Sequence, residues 1–291
     1  SDTMALRIEK ERKDILVKRI YTDAFQQDNA WNRPFYSAVN KEINRQLNQG
    51  TYLLNYVGHA SPIHFADEHI FTEQDVASWR NLRNLPILVA ASCLFAQSDA
   101  ERNITLGQNM LFMPQGGGIA LIAASRLTYN YSNQIFNSHL LRSILPGPKS
   151  TPLRSIGDAL RISKNKTPGG ENRSKYLLLG NPALPLPNFT AKAKLIALNQ
   201  KPLKGALDTI RAGEKVQLEV EVTRPDGVPF SGDVHLQLRG PYRQLRTKAN
   251  DGGEVFEYSE RTNTVFRGKA TCTNGRVRYS FIVPTDMELD Y

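Results

Sequence analysis

A thiol attacks a carbonyl well only as thiolate, with a base or a cation beside it. The 291-residue sequence holds two cysteines and five histidines. His59 lies in Tyr56-Val57-Gly58-His59-Ala60, and Cys93 in Leu88-Val89-Ala90-Ala91-Ser92-Cys93. Each closely follows a short apolar run, so His59 could serve as base to a Cys93 nucleophile. Acyl transfer also needs donors for the oxyanion. Backbone N–H groups in the Gly58-His59-Ala60 turn and at Cys93 itself can supply them. The same residue types also occur as a small core residue and as a hydrogen-bonded structural histidine. Spacing alone leaves both readings open.

Other candidates are weaker. His59, His64 and His69 recur at five-residue intervals, which does not match helical metal-ligand spacing, and Cys93 would add a single thiolate. No metal and no cofactor is expected. Gly116-Gly117-Gly118 precedes a strand instead of joining a strand to a helix, so it reads as a turn into Ile119, not as a phosphate cradle. Cys93 and Cys272 fall in stretches that read as different domains, too few for a disulfide framework.

The elements that must position these residues alternate along residues 1–189. Asn32-Arg33-Pro34 opens a helix with Phe35, Val39, Ile43 and Leu47 on one face, and Gly50 closes it. Tyr52–Val57 is a strand. Thr72 with Asp75 forms a capping box for a helix showing Val76, Trp79 and Leu82 on one face. Pro86–Ala91 is a second buried strand, and Leu106, Met110 and Met113 mark a helix. Ile119–Ala124 is a third strand, ending in Ser125-Arg126. Helices near 132–145 and 152–163 follow, the second with Thr151 as cap and Pro152 at its first position. Tyr176–Leu179 is a last strand. Buried strands separated by helices predict an α/β layer with a mostly parallel sheet. Such sheets place chemistry at the carboxyl ends of neighbouring strands, and here those ends carry His59, Cys93 and Ser125-Arg126.

Residues 190–291 read differently. Lys215–Val222 alternates strictly, Val234, Leu236 and Leu238 alternate again, and Asn274-Gly275 marks a hairpin before Val277, Tyr279, Phe281 and Val283. This predicts an Ig-like antiparallel β-sandwich without helices.

Composition sets the remaining bounds. Lys plus Arg is 37 against 28 for Asp plus Glu, a formal net charge of +9, and hydrophobic residues make up 40%. That is a globular composition. The basic excess is spread out, with no Lys/Arg block of the kind that grips nucleic acid. It would suit an anionic cell envelope. No run of about 18 apolar residues would span a membrane, and the first residues hold no apolar signal segment. Either the protein is cytoplasmic or a leader has been removed.

Asn55-Tyr56-Val57-Gly58-His59-Ala60-Ser61 followed by Pro86-Ile87-Leu88-Val89-Ala90-Ala91-Ser92-Cys93 resembles the His and Cys boxes of the gingipain-type cysteine peptidases, in the caspase-like clan. Ser98–Arg102, Gly116–Arg126, Leu178–Leu184 and Val265–Ala270 extend the similarity, which runs from about Tyr21 to the end. These segments resemble most the transpeptidase (sortase) branch that serves the type IX secretion system. The resemblance implies a cell-surface enzyme attached to the outer membrane through partner secretion-system subunits. It implies removal of the C-terminal signal domain of secreted cargo, and joining of the cargo to anionic lipopolysaccharide through a Cys thioester. The matching nucleophile is Cys93 and the matching base His59. Ala60 and Cys93 match the oxyanion donors, and Gly58, Phe65, Ser125 and Arg126 fall at the pocket. Plain hydrolysis, or a non-catalytic binding module, are the alternatives.

Two residues depart from the family pattern. Ala60 replaces a usual glycine, which would be strained if that site needs a positive φ, and Phe65 replaces a usual tryptophan. The acid that orients the histidine in gingipains comes from well upstream and has no match in this sequence. The resemblance implies a preceding half-domain and a long N-terminal region beyond these 291 residues. It implies that they alone are inactive or weakly active, and that Met287–Tyr291 could be a truncation point.

Overall fold

The structure is a computed structural model describing residues 2–28, 35–99, 104–146, 155–169, 171–186, 191–203, 209–250 and 252–285. The chain divides into two compact units. One is Ser1–Pro187 with Thr247–Val255, and the other is Asn188–Arg246 with Phe256–Tyr291.

The first unit is an α/β layer. Its elements are α1 (Asp2–Glu11), α2 (Ser37–Gln49), β1 (Leu53–Val57), α3 (Glu73–Ala77), β2 (Ile87–Ala91), α4 (Leu106–Phe112), β3 (Ala120–Ala124), α5 (Asn130–Ile144), α6 (Ile156–Lys166), α7 (Glu171–Lys175) and β4 (Tyr176–Leu179). The sheet order is β1-β2-β3-β4. The first three strands are parallel and β4 is antiparallel to β3. The expected mostly parallel sheet is therefore present.

Every residue of β2 and β3 is buried, because helices cover both faces. Leu88, Ala90, Leu121 and Ala123 point into a core with Val39, Ile43 and Leu47 of α2, Val76 of α3 and Met110 of α4. Ile87, Val89, Ala120, Ile122 and Ala124 point the other way, onto Ile8 of α1, Phe136, Leu140 and Ile144 of α5, and Ile156 of α6. Alternation along a doubly covered strand produces these two cores, and each large apolar side chain buried in them contributes about 1.5–3 kcal/mol.

Local signals set the helix ends. Gly50 closes α2 at φ 102°, its N–H donating to the Leu47 carbonyl. Thr72 and Asp75 form the expected reciprocal capping box of α3, and Thr105 with Gln108 forms another on α4. Several expectations are corrected. Phe35 pairs with Asp28 in an isolated β-bridge instead of sitting in α2. Helix α3 stops at Ala77, so Trp79, fully buried, and Leu82, exposed, follow it outside the helix. Ser155 caps α6, its Oγ accepting from the Asp158 N–H at 3.2 Å. The predicted Asn32-Arg33-Pro34 opening and the Thr151-Pro152 cap lie outside the described residues.

The segment Thr247–Val255 packs in the first unit. Asp23 accepts from the Ala249 and Asn250 N–H groups at 2.9 and 2.7 Å, and its carbonyl accepts from Lys248 at 2.7 Å. Asn250 Nδ2 donates to the Phe25 carbonyl at 3.1 Å.

The second unit is antiparallel, and its described residues contain no helix. It comprises β5 (Lys192–Leu198), β6 (Lys201–Pro202), β7 (Lys215–Thr223), β8 (Gly232–Arg239), β9 (Arg243–Arg246), β10 (Glu257–Glu260), β11 (Thr264–Cys272) and β12 (Arg276–Ile282). Strands order as β12-β7-β5-β6, with the ribbons β11-β8 and β10-β9. Val216, Leu218, Val220 and Val222 form its core with Val277, Tyr279 and Cys272. Asn274 and Gly275 both have positive φ, 50° and 76°, as a tight two-residue turn requires. Thr273 and Arg276 close it as an antiparallel bridge, each N–H donating to the other's carbonyl at 3.0 Å; beyond that bridge β11 pairs with β8 and β12 with β7.

Candidate active site

The parallel register decides where the chemistry-bearing residues lie. Val57 of β1 pairs with Ala91 of β2. His59 and Cys93 each stand two residues beyond that pair, at the same end of adjacent strands. Ala90 pairs with Ala123 of β3, which brings Ser125-Arg126 to the same end on the other side. One sheet edge thus presents His59, Cys93 and Arg126 in that order.

The His59 turn is fixed from below. The Tyr56 hydroxyl donates to the His59 carbonyl at 2.6 Å, and the Ala66 N–H donates to the same oxygen at 2.8 Å. A Cβ on Gly58 would lie 2.6 Å from the Tyr56 hydroxyl oxygen, so glycine is what lets the phenol reach that carbonyl. Burial raises the Tyr56 hydroxyl well above the ordinary tyrosine range, so it stays a donor. Ala60 is absent from the positive-φ residues, and alanine in place of the usual glycine costs no backbone strain. The His59 side chain is exposed.

Phe65 is a correction to the pocket expectation. Its ring is 3% exposed and lies in the core beneath the turn. It stacks on Tyr56 at 3.9 Å between centroids and meets Phe95 at 4.3 Å and Phe71 at 5.4 Å. Since Tyr56 supports the His59 turn and Phe95 follows Cys93 by two residues, this ring ties the two loops together.

Cys93 is a partly buried free thiol. Leu94 after it has φ 59°, a left-handed conformation costing a non-glycine residue about 1–2 kcal/mol. The Leu94 N–H donates to the Arg126 carbonyl at 3.3 Å and the Ala96 N–H to the Ala124 carbonyl at 3.0 Å. These bonds hold the kink that leaves Cys93 at the strand end. No sequence pattern announces this kink. Among the described residues, neither the Ala60 nor the Cys93 N–H donates to a protein acceptor.

The Cys93 thiol makes its hydrogen bonds to Thr128, not to the His59 ring. Sγ accepts from the Thr128 N–H at 3.3 Å, approaches Thr128 Oγ1 at 3.4 Å and donates to the Thr128 carbonyl at 3.4 Å. Thr128 was not legible as a site residue. Ser125 bonds to the Lys175 carbonyl through its N–H at 2.9 Å and its Oγ at 3.1 Å, so its hydroxyl is engaged in holding the loop. Arg126 is exposed and forms a two-point pair with Asp99, at 3.0 and 2.7 Å. That pair draws the Asp99 carboxyl below its usual range.

The other histidines do not join the site. The His64 and His69 rings stack on each other at 4.1 Å, and His64 Nδ1 donates to the Ala66 carbonyl at 2.8 Å. Among the described residues, no three His, Cys, Asp or Glu side chains gather as metal ligands.

Residues 1–187 match the model of Peptidase family C25. No curated protein matches the sequence. Among solved structures, the chain is similar to the Arg-specific cysteine proteinase gingipain R, RgpB, at 17% identity, covering 85% of this chain and 50% of that one with a TM-score of 0.46. A complex of the Porphyromonas gingivalis RgpB pro- and mature domains matches at 17% identity over 85% and 51%, TM-score 0.44. Dimeric latent PorU from Porphyromonas gingivalis matches at 23% identity over 87% and 23%, TM-score 0.32. The chain spans about half the length of the gingipain chains it matches.

Proposed function

This chain belongs to peptidase family C25, and on that premise we propose that Cys93 and His59 form a nucleophile–base dyad for acyl transfer. The observation that carries the reading is the register. His59 and Cys93 follow a directly paired Val57–Ala91 couple on parallel strands, with two uncommitted N–H groups, of Ala60 and Cys93, beside them. In the reaction His59 takes the thiol proton and Sγ bonds to the substrate carbonyl carbon. The oxyanion is met by the two N–H groups. As the C–N bond breaks, imidazolium gives its proton to the departing amine, leaving a thioester. Apo geometry is often looser than the reacting one, so the His59 ring and Sγ come within hydrogen-bond reach when substrate binds.

The finer reading is a sortase. The thioester passes to an amine on an anionic lipopolysaccharide, and the substrate is cargo carrying a C-terminal signal domain. The enzyme works at the outer-membrane surface, held there by secretion-system subunits. Support comes from the segments around the two boxes, which resemble those of PorU, and from the dispersed +9 charge, which favours approach of an anionic glycan. Among the described residues no helix is long and apolar enough to cross a membrane. The Ig-like assignment of residues 190–291 belongs to the same reading. The non-catalytic alternative rested on a strained Ala60, and Ala60 has no positive φ.

The test gives the full-length enzyme a cargo and a glycine-like amine and reads the cargo C-terminus by mass spectrometry. Amide product that rises with amine concentration and vanishes in Cys93→Ala supports transfer. Free carboxylate alone at every amine concentration makes the protein a hydrolase.

A further inference from the structure

Behind Cys93, four polar side chains form a chain whose direction can be read bond by bond. Asn133, Asn172 and Tyr176 are 5%, 3% and 0% exposed. The Tyr129 N–H, which can only donate, reaches Asn172 Oδ1 at 3.2 Å. That fixes the Asn172 amide, whose Nδ2 donates to the Tyr129 carbonyl at 2.9 Å and to Asn133 Oδ1 at 3.0 Å. Asn133 Oδ1 also accepts from the Tyr176 hydroxyl at 2.9 Å. Burial, with the nearby thiol adding to it, raises that phenol far above the usual tyrosine range, so it remains a donor. With its oxygen so occupied, Asn133 turns Nδ2 to Thr128 Oγ1 at 2.8 Å. Thr128 Oγ1 therefore accepts from behind and lies 3.4 Å from Cys93 Sγ; with the Sγ proton given to the Thr128 carbonyl at 3.4 Å, the hydroxyl is left to donate to the sulfur.

We propose that Thr128 is a positioning residue for the Cys93 nucleophile, its hydroxyl aimed by the buried Asn133–Asn172–Tyr176 chain so that two donors, N–H and O–H, hold the thiolate. This rests on the dyad reading above and extends it. A thiol satisfied only by the Thr128 backbone would need none of the buried amides. The network's use is to remove the choice of hydroxyl orientation. It also joins α5, α7, β4 and the loop after β3 into one support for a single sulfur atom. Fixing donors in advance of the charge is how a site avoids reorganising during reaction.

The experiment measures alkylation of Cys93 by iodoacetamide at fixed pH, located by peptide mapping, with thermal unfolding alongside. Thr128→Val keeps the side-chain shape and the backbone donor but loses the hydroxyl. It is expected to react about tenfold more slowly, the usual weight of one hydrogen bond to a charged group, while staying folded with a lowered unfolding midpoint, because buried Asn133 Nδ2 loses its acceptor. Thr128→Ser restores the hydroxyl and the rate, which a merely structural role would not produce. Thr128→Ala serves if valine does not fold, with the same slowing expected. A folded Thr128→Val or Thr128→Ala protein that reacts as fast as wild type, or faster, overturns the proposal while leaving the dyad in place. Wild-type Cys93 that reacts no faster than an unfolded-chain thiol overturns the nucleophile reading, and this proposal with it.

Discussion

Replacing Phe65 by alanine separates a structural ring from a wall of the substrate crevice. The ring is 3% exposed and has three aromatic neighbours, at 3.9, 4.3 and 5.4 Å. Truncating a buried phenylalanine costs about 3–5 kcal/mol, and aromatic pairs of this kind add about 0.5–1.5 kcal/mol each beyond burial. The upper half of the first range is therefore expected, a large part of the ~5–15 kcal/mol of a whole domain. Phe65→Leu keeps most of the volume and is expected to lose about 1.5 kcal/mol. Urea unfolding followed by fluorescence of buried Trp79 reads both. With a slope of about 2–3 kcal/mol per molar, the alanine variant unfolds about 1.3–2.5 M earlier. Because the ring links the His59 turn to Phe95, alkylation of Cys93 in the folded leucine variant is expected to slow as well. A loss below about 0.5 kcal/mol, the range of ordinary surface substitutions, refutes the ring's place in the core.

Two further substitutions probe the local supports. Gly58→Ala drives a Cβ to 2.6 Å from the Tyr56 hydroxyl oxygen and breaks its bond to the His59 carbonyl. A loss of about 1–3 kcal/mol is expected, and a crystal structure of the variant should show the displaced phenol. Asp23→Ala leaves the Ala249 and Asn250 N–H groups without their carboxylate, and hydrogen exchange at 248–250 is expected to accelerate at least tenfold while exchange in β2 and β3 is unchanged.

The central strands were legible because Pro86–Ala91 and Ile119–Ala124 are short, wholly apolar and bounded by polar or glycine residues. The end of the first gave Cys93, and the end of the neighbouring run Tyr52–Val57 gave His59. Burial on both faces carries no sign of strand direction, so the antiparallel β4 could not be told from a parallel neighbour. Trp79 and Phe35 kept helical spacing although they lie outside helices, since a chain leaving a helix can continue to face the same core. The first helix, α1, buries Ile8 alone, too narrow an apolar stripe to show as a period. Phe65 reads as an ordinary aromatic in a polar loop, and only the fold shows its three ring partners. Leu94 at positive φ and Thr128 beside Cys93 are tertiary facts. Thr128 stands 35 residues from the thiol it touches, and neither residue type suggests the role.

The central claim is that His59 activates Cys93 across adjacent strand ends. The most direct measurement is the rate at which a peptidyl acyloxymethyl ketone labels Cys93 in the full-length protein and in its His59→Ala variant, with unfolding curves showing both folded. The account predicts covalent modification mapped to Cys93 in the parent, slowed at least about a hundredfold in His59→Ala, the low end of general-base contributions. Equal labelling rates in the two proteins would contradict it, because the thiol would then react without the histidine.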